Sequence, residues 1–186
     1  MKTLNEYINE GKWDKYRSNK YNDIIKSAVY DYVSGLTVGI NNELRSGKKS
    51  SKIVIKELDL AFTSNYACKM KLNVFRVVDW DYLNNIYNIT KYNIDDNLNK
   101  VFINKAYIST TKIKGSVWGS FTKDEVLINI ISDNTINVID VNSVIPAEDI
   151  DCEEQQEVLL PRNMKFKILS YTIDNDGIYN FLIKIL

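Results

Sequence analysis

The sequence predicts an α+β fold in which N-terminal helices pack on a largely antiparallel β core. Two observations point to this class. Apolar residues recur every three or four positions in the first third of the chain, whereas from about residue 70 they form short runs of strand type. The helical segments also precede the strands instead of alternating with them, which argues against a doubly wound βαβ fold. A chain of 186 residues suits one domain.

The helical part covers about residues 1–66. Several helices are expected between Leu4 and about Arg45, because aromatic and aliphatic residues there keep helical spacing with interruptions. These residues are Trp13, Tyr16, Tyr21, Ile24, Ile25, Ala28, Val29, Tyr32 and Val33. Gly35 and Gly39 are expected to break the pattern, and Gly47 to end the helical segment that follows them. A further helix is predicted over Ile53–Phe62.

The β core covers about residues 70–186. The predicted strands are Leu72–Val78, Val101–Ser109, Glu125–Ile131, Thr135–Val141, Glu157–Leu160, Met164–Ile173 and Ile178–Leu186. Asp176 and Gly177 form a good tight-turn pair, so the last two strands are expected to form a hairpin. The acidic residues near this turn lack the remaining ligand positions of a calcium-binding loop.

Composition excludes several kinds of function. Lys plus Arg and Asp plus Glu both number 24, so no basic field for nucleic acid is present. The chain has no His, which excludes His-dependent triads and most zinc sites. Chemistry must therefore use carboxylates, amides, hydroxyls and arginines.

Cysteine spacing and hydropathy further limit the kinds of function that the chain can have. Cys68 and Cys152 match no metal or redox motif, and two unpaired thiols fit better than the possible disulfide. No apolar run approaches membrane-spanning length, and the N-terminal residues lack the apolar core of a secretion signal. If the protein is secreted, a signal has been removed or export uses another route.

Three candidate functional positions lie in the first part of the β core. Arg76 sits inside an apolar strand, where it needs an anionic partner unless it extends to water at a sheet edge. Ser109, Thr110 and Thr111 end a strand with three hydroxyls, which either form a site or satisfy a turn. Trp118 lies between glycines in a loop, where it could stack on a flat ligand or cap the core.

The segment Gln155–Arg162 is the most informative stretch. Gln155 and Glu157 are two residues apart at the start of an apolar strand, so an amide and a carboxylate are expected on the same face. The alternative is an ordinary charged loop before a strand. No single motif is specific, but the order and spacing of all of them together are.

In that order, Arg76, the Ser109–Thr111 segment and Gln155–Arg162 resemble the signature of bacterial mono-ADP-ribosyltransferase toxins. Among these toxins the chain is most similar to the single-domain exoenzymes of clostridial C-three type, which modify Rho GTPases. The resemblance spans nearly the whole chain, since Trp13 and the segment Ile40–Arg45 also match. It implies N-terminal helices packed on two mostly antiparallel sheets.

The resemblance also implies residue roles. Glu157 would support the positive charge that develops on the ribose of NAD when the nicotinamide bond breaks, and Ser109 would hold Glu157 in place. Gln155 would orient the acceptor on the target protein. The residues implied in NAD binding, without a metal, are Arg76, Arg45, Asn41, Thr110 and Trp118.

The function implied is transfer of ADP-ribose from NAD to an asparagine of a Rho-family GTPase, with NAD hydrolysis as a possible side reaction. An amide at position 155 suits an amide acceptor, whereas a carboxylate suits arginine. The expected protein is a secreted monomer acting in the host cytosol, with a separate cell-binding component possible. No membrane or nucleic-acid partner is expected.

Four departures from the family pattern are relevant. Val77 replaces a common Gly, Thr111 replaces a Ser, and Phe121 stands where relatives carry an NAD-contacting Arg. Cys152 stands where Rho-modifying members carry an exposed aromatic residue that recognises the GTPase. The alternatives are another target such as actin, and a non-catalytic docking domain of a binary toxin.

Overall fold

A computed structural model describes residues 15–47, 52–114, 122, 124–145 and 156–186, with side chains from residue 22 onward. The predicted helical residues before Lys15, including Trp13, lie outside these ranges. The described helices are α1 (Lys15–Asp31), a π-helical turn (Tyr32–Leu36), α2 (Thr37–Ser46), α3 (Lys52–Ala61), α4 (Trp80–Tyr87), α5 (Ile94–Asn97) and α6 (Val141–Val144).

The predicted breaks in the helical part have different outcomes. The backbone leaves the helical conformation at Gly35, as expected, so α1 and α2 meet at a kink. The prediction of a break at Gly39 is wrong, because Gly39 lies inside α2. One glycine costs a helix only about 1 kcal/mol, which the neighbouring turns can offset. Gly47 ends α2 in the left-handed region at φ 73°, as predicted.

In the part of the chain that the structure describes, seven strands form the β core. They are β1 (Ala67–Asp79), β2 (Val101–Asn104), β3 (Ile108–Thr111), β4 (Glu125–Asp140), β5 (Glu157–Leu160), β6 (Met164–Ile173) and β7 (Tyr179–Ile185). Every pairing between them is antiparallel except that of β4 with β7. The α+β class with a mostly antiparallel core is therefore confirmed.

The sheets are joined through the two longest strands. β1 pairs with β4 along nearly its whole length, and β3 and β5 connect these two strands into a closed ring of four. The other edge of β4 continues into β7, β6 and finally β2. The two expected sheets thus form one hydrogen-bonded assembly of seven strands.

Two strand predictions need correction. The single strand predicted over Val101–Ser109 is two strands, with β2 at the sheet edge against β6 and β3 between β1 and β5. Asn104 ends β2, because its buried amide donates to the Ala106 carbonyl and turns the chain.

The two strands predicted over residues 125–141 are one, β4. Ser132 Oγ accepts a hydrogen bond from Leu72 N at 2.8 Å where the β1–β4 register shifts.

The C-terminal hairpin is as predicted. β6 and β7 pair antiparallel around the turn, and Gly177 adopts φ 81°, which favours glycine. Asp174 Oδ1 accepts hydrogen bonds from the backbone N–H groups of Asp176 and Ile178. That carboxylate therefore serves the turn itself.

The core has two parts that meet at β5. One part lies between the strands of this assembly and helices α4 and α5, and it includes Val158 and Leu160. The other lies between helices α1–α3 and the sheet, and it includes Leu159. Alternate β5 side chains therefore enter different cores, which explains the uninterrupted apolar run of this strand.

A polar contact fastens the helices to the β core. Arg162, just after β5, contacts Asp59 of α3 with two parallel hydrogen bonds, Nε to Oδ1 at 2.8 Å and Nη2 to Oδ2 at 2.6 Å. Buried Tyr107 donates its hydroxyl proton to the same carboxylate at 2.8 Å and stacks on Phe62. We call Asp59, Tyr107 and Arg162 the docking triad.

Two further observations concern sulfur and hydropathy. Cys68 is exposed, and Cys152 lies outside the described ranges, so their pairing stays untested. Of the helices that the structure describes, none has the length and apolar character needed to span a membrane.

Candidate active site

Glu157 opens β5 and lies half-buried beside β3. Its backbone pairs with that of Thr111, and Ser109 is paired with Leu159, so Ser109 and Glu157 lie diagonally on the same face. Ser109 Oγ donates a hydrogen bond to Glu157 Oε1 at 2.5 Å. The two residues that the family resemblance paired are therefore in direct contact.

The pKa of Glu157 is raised above its ordinary value. Burial is the main cause, because it disfavours the charged form. The hydrogen bond from Ser109 and the positive charge of Arg76 act in the opposite direction and favour the carboxylate. Glu157 is thus a partly desolvated carboxylate whose charged form is supported by two neighbours.

The residue before Glu157 has an unusual backbone. Gln156 adopts φ 44°, the left-handed region that a non-glycine residue enters at a cost of about 1–2 kcal/mol. Its carbonyl accepts a hydrogen bond from Lys112 N at 3.3 Å, which extends the β3–β5 pairing by one residue. Strain of this kind is often found next to functional residues.

Arg76 lies half-buried in the C-terminal half of β1. Its Nη1 donates to the backbone carbonyl of Ser109 at 3.4 Å, and its Cζ lies 5.2 Å from the centre of the Tyr82 ring. Arg76 thereby connects β1 to the strand that carries Ser109. In the described part of the chain, its guanidinium forms no ion pair with a carboxylate.

Arg45 approaches the same tyrosine from the last turn of α2. Its Nη2 donates to Tyr82 Oη at 3.0 Å, and its Cζ lies 5.1 Å from the ring centre. Arg45 Nε is buried and has no hydrogen-bond partner among the described residues. Arg45 and Arg76 are thus brought together by contact with one aromatic side chain.

Asn41 is buried in α2, with only 3% of its surface exposed. Its Nδ2 donates to Tyr32 Oη at 2.9 Å, and its Oδ1 accepts from Tyr107 N at 3.2 Å. Burial raises the pKa of Tyr32 to about 12. The described bonds of Asn41 connect α2 to the π-helical turn and to the start of β3, and contact with NAD stays a prediction.

The remaining predicted site residues are placed differently. Thr110 is buried, points to the face opposite Ser109, and donates to the Val158 carbonyl at 2.7 Å. This bond joins β3 to β5, and a role of Thr110 in cofactor binding also stays a prediction. Gln155, Trp118, Phe121 and Cys152 lie outside the described residues.

Sequence reasoning missed Tyr82 and helix α4. Asp79 caps this helix by accepting a hydrogen bond from Tyr82 N at 2.5 Å. An Asp directly after a strand, with a second Asp in the following turn, is a helix-start signal that was available in the sequence. The two arginine contacts of Tyr82 had no such signal, because they depend on three separate segments.

The arrangement can bind anions and support a positive charge. Two guanidiniums that have no carboxylate partner within the described ranges suit phosphate oxygens, and the nearby carboxylate of Glu157 can stabilise a cationic reaction centre. No group of three metal-ligating side chains occurs among the residues described.

The chain matches a known protein family. A family model described as ADP-ribosyltransferase exoenzyme matches residues 9–185. Curated protein sequences contain no significant match.

Solved structures share the fold at low sequence identity. An ADP-ribosyltransferase from Clostridium botulinum has a TM-score of 0.67 at 21% identity, over 100% of this chain and 96% of that one. A protein from S. aureus, solved with NAD, has a TM-score of 0.69 at 19% identity, over 98% and 92%. Exoenzyme S from Pseudomonas aeruginosa, solved with human 14-3-3 protein beta and Carba-NAD, has a TM-score of 0.63 at 17% identity, over 87% and 73%.

Proposed function

Because the chain belongs to the ADP-ribosyltransferase exoenzyme family, we propose that it transfers ADP-ribose from NAD to an asparagine of a Rho-family small GTPase. The contact between Ser109 and Glu157 is the observation that carries this proposal. It fixes a carboxylate in a site that also holds Arg76 and has no histidine to act as a base.

The reaction balances with these groups. The bond between the ribose carbon and the nicotinamide nitrogen breaks, and nicotinamide leaves with the electron pair as a neutral molecule. A bond forms between that carbon and the acceptor amide nitrogen, which releases one proton to the solvent. Glu157 stabilises the positive charge on the ribose during this exchange, and Arg45 and Arg76 hold the pyrophosphate. Water in place of the acceptor gives NAD hydrolysis as a side reaction.

The acceptor is assigned from Gln155. An amide side chain can both donate and accept hydrogen bonds, so it can align another amide, whereas a carboxylate pairs better with a guanidinium. The resemblance to exoenzymes of clostridial C-three type favours a Rho-family target. Cys152 in place of an aromatic residue makes the target surface the part that most needs testing.

The setting of the reaction follows from the same family. We propose a single-domain, monomeric enzyme that is secreted and acts in the host cytosol, where a separate component could deliver it. The helical part and the β core share the docking triad, which supports treating them as one domain.

The decisive experiment follows labelled ADP-ribose from NAD into proteins of a eukaryotic cell lysate. Wild-type protein is compared with Glu157→Ala and with Glu57→Ala, a half-buried glutamate on α3. Mass spectrometry then identifies the labelled protein and residue. We expect labelling of one GTPase on asparagine by wild type and by Glu57→Ala, and none by Glu157→Ala.

Other outcomes separate the alternatives. Label on actin, or on an arginine of any protein, would keep the chemistry and overturn the proposed target. Absence of both labelling and NAD hydrolysis in purified wild-type protein would leave a non-catalytic docking domain as the better account.

A further inference from the structure

We propose that Tyr82 is a positioning residue that spaces and orients Arg45 and Arg76 as a preformed clamp for the pyrophosphate of NAD. The proposal rests on the function proposed above, in which both arginines bind the pyrophosphate. It adds a residue from α4, a helix that neither the family resemblance nor the sequence pattern identified.

The first support is the geometry of the two arginines. Their guanidinium carbons lie 5.1 and 5.2 Å from the centre of the same ring, within the roughly 6 Å at which an aromatic face attracts a cation. Since both contact one ring, the two charges are at most about 10 Å apart. The negative face of the ring offsets part of their mutual repulsion before an anion binds.

The second support is the hydrogen bond from Arg45 Nη2 to Tyr82 Oη at 3.0 Å. It uses one of the five guanidinium N–H groups and fixes the direction of the fork. Arg45 Nε is buried without a hydrogen-bond partner among the described residues. A buried N–H of this kind needs an acceptor, and a phosphate oxygen is an acceptor that suits a guanidinium fork.

The third support is the way Tyr82 itself is held. Asp79 caps α4 and accepts a hydrogen bond from Tyr82 N, which lies three residues after the cap. The centre of the Tyr82 ring lies 6.3 Å from that of the Tyr87 ring, and Tyr82 packs against the part of the core that helices α4 and α5 cover. The ring is therefore a fixed platform, and ordering the clamp in advance lowers the cost of binding.

The expected consequence is selectivity for a pyrophosphate. Loss of the ring should weaken binding of NAD and ADP-ribose, which carry the pyrophosphate, and should not change binding of nicotinamide riboside, which lacks it. A merely structural role would weaken all three ligands together or lower kcat.

The test measures kcat and KM for NAD hydrolysis, with ADP-ribose and nicotinamide riboside as competitors. For Tyr82→Leu we expect KM for NAD to rise about tenfold, with kcat within about twofold of wild type. For Tyr82→Phe, which keeps the ring and loses one hydrogen bond, we expect a rise of about threefold. Tyr82→Trp, which restores an aromatic face, should recover much of the affinity lost in Tyr82→Leu.

Tyr179→Leu is the matched control. Tyr179 is also half-buried and packs against the same cluster, but within the described part of the chain its ring contacts are Trp80 and Tyr171 and not an arginine. Its loss should lower the melting temperature without changing KM. If Tyr82→Leu does not fold, the comparison of Tyr82→Phe with wild type decides the question.

Three results would overturn the proposal. One is a wild-type KM in both Tyr82→Phe and Tyr82→Leu, and another is equal loss of affinity for ADP-ribose and nicotinamide riboside. In either case the proposed function stands, because wild type still uses NAD. If wild-type protein neither binds nor hydrolyses NAD, the proposed function fails and the clamp fails with it.

Discussion

Two regions of this molecule contain arginines whose contacts the structure describes, and the partners of these arginines differ between the regions. In the docking triad, Arg162 meets the Asp59 carboxylate with two parallel hydrogen bonds, and Tyr107 adds a third. In the candidate active site, Arg45 and Arg76 contact a tyrosine ring and a backbone carbonyl. The first arrangement uses the charge to hold the fold together, whereas the second leaves it available for a ligand.

The same contrast applies to the acidic residues. Asp59 has its charge matched by a guanidinium in direct contact. Glu157 has a hydroxyl as its direct partner, and burial raises its pKa. Stability and function should therefore respond in opposite ways when each carboxylate is neutralised.

The largest expected effect tests the functional side of this comparison. Glu157→Gln should reduce NAD turnover by about 10²–10³-fold, because the charge facing the ribose is lost. Its pKa is raised, so ionisation of Glu157 costs more free energy in the folded state than in the unfolded state, and neutralisation should raise the melting temperature at neutral pH. Calorimetry and initial rates measure the two effects.

Glu57→Gln is the control for that variant. Burial also raises the pKa of Glu57, so its neutralisation should stabilise the fold without loss of turnover. A lowered melting temperature in Glu157→Gln, or equal loss of activity in both variants, would contradict the division between the two regions.

The second effect is on stability. Asp59→Asn removes the charge that Arg162 contacts, and each side chain of the pair is about a third exposed, at 37% and 31%. We expect a loss of roughly 1–2 kcal/mol, or about 2–8 °C in melting temperature, with kcat retained. Asp133→Asn, which alters a more exposed ion pair with Lys184, should leave the melting temperature within about 1 °C of wild type.

The smallest effect concerns pH. Glu157 acts as a carboxylate, so activity is full above its raised pKa and falls as pH decreases through that pKa. The Ser109 hydrogen bond lowers this pKa, so Ser109→Ala should move the acid limb of kcat/KM to higher pH. Ser170→Ala, an exposed hydroxyl on β6, should leave the limb in place. A shift to lower pH in Ser109→Ala would show that another group controls the limb.

Most of the fold could be predicted from sequence because periodicity reports burial directly. The α+β class, the helix ended by Gly47 and the hairpin at Gly177 all followed from local patterns. Helices α4, α5 and α6 were missed because they have only eight, four and four residues, too few to show a helical period. The split between β2 and β3 depends on an Asn104 side-chain bond that no pattern reveals.

The candidate site was predictable only in part. The order of Arg76, Ser109 and Glu157 along the chain identified them as candidate site residues. In the structure, Ser109 contacts Glu157, and Arg76 donates a hydrogen bond to the Ser109 carbonyl. The contacts of Tyr82 join α2, β1 and α4, and the buried position of Asn41 depends on Tyr32 and on the start of β3. Such contacts are set by tertiary packing, which a single sequence does not encode locally.

The placement of β5 between the two cores limits how this protein can evolve. An ordinary half-buried strand accepts polar substitutions at every second position, but Val158, Leu159 and Leu160 have no solvent-facing member. A substitution in either core therefore alters the packing around β5, the strand that begins with Glu157. Related sequences should vary freely at the exposed positions of the helices, whereas these three positions should change only between apolar residues of similar volume.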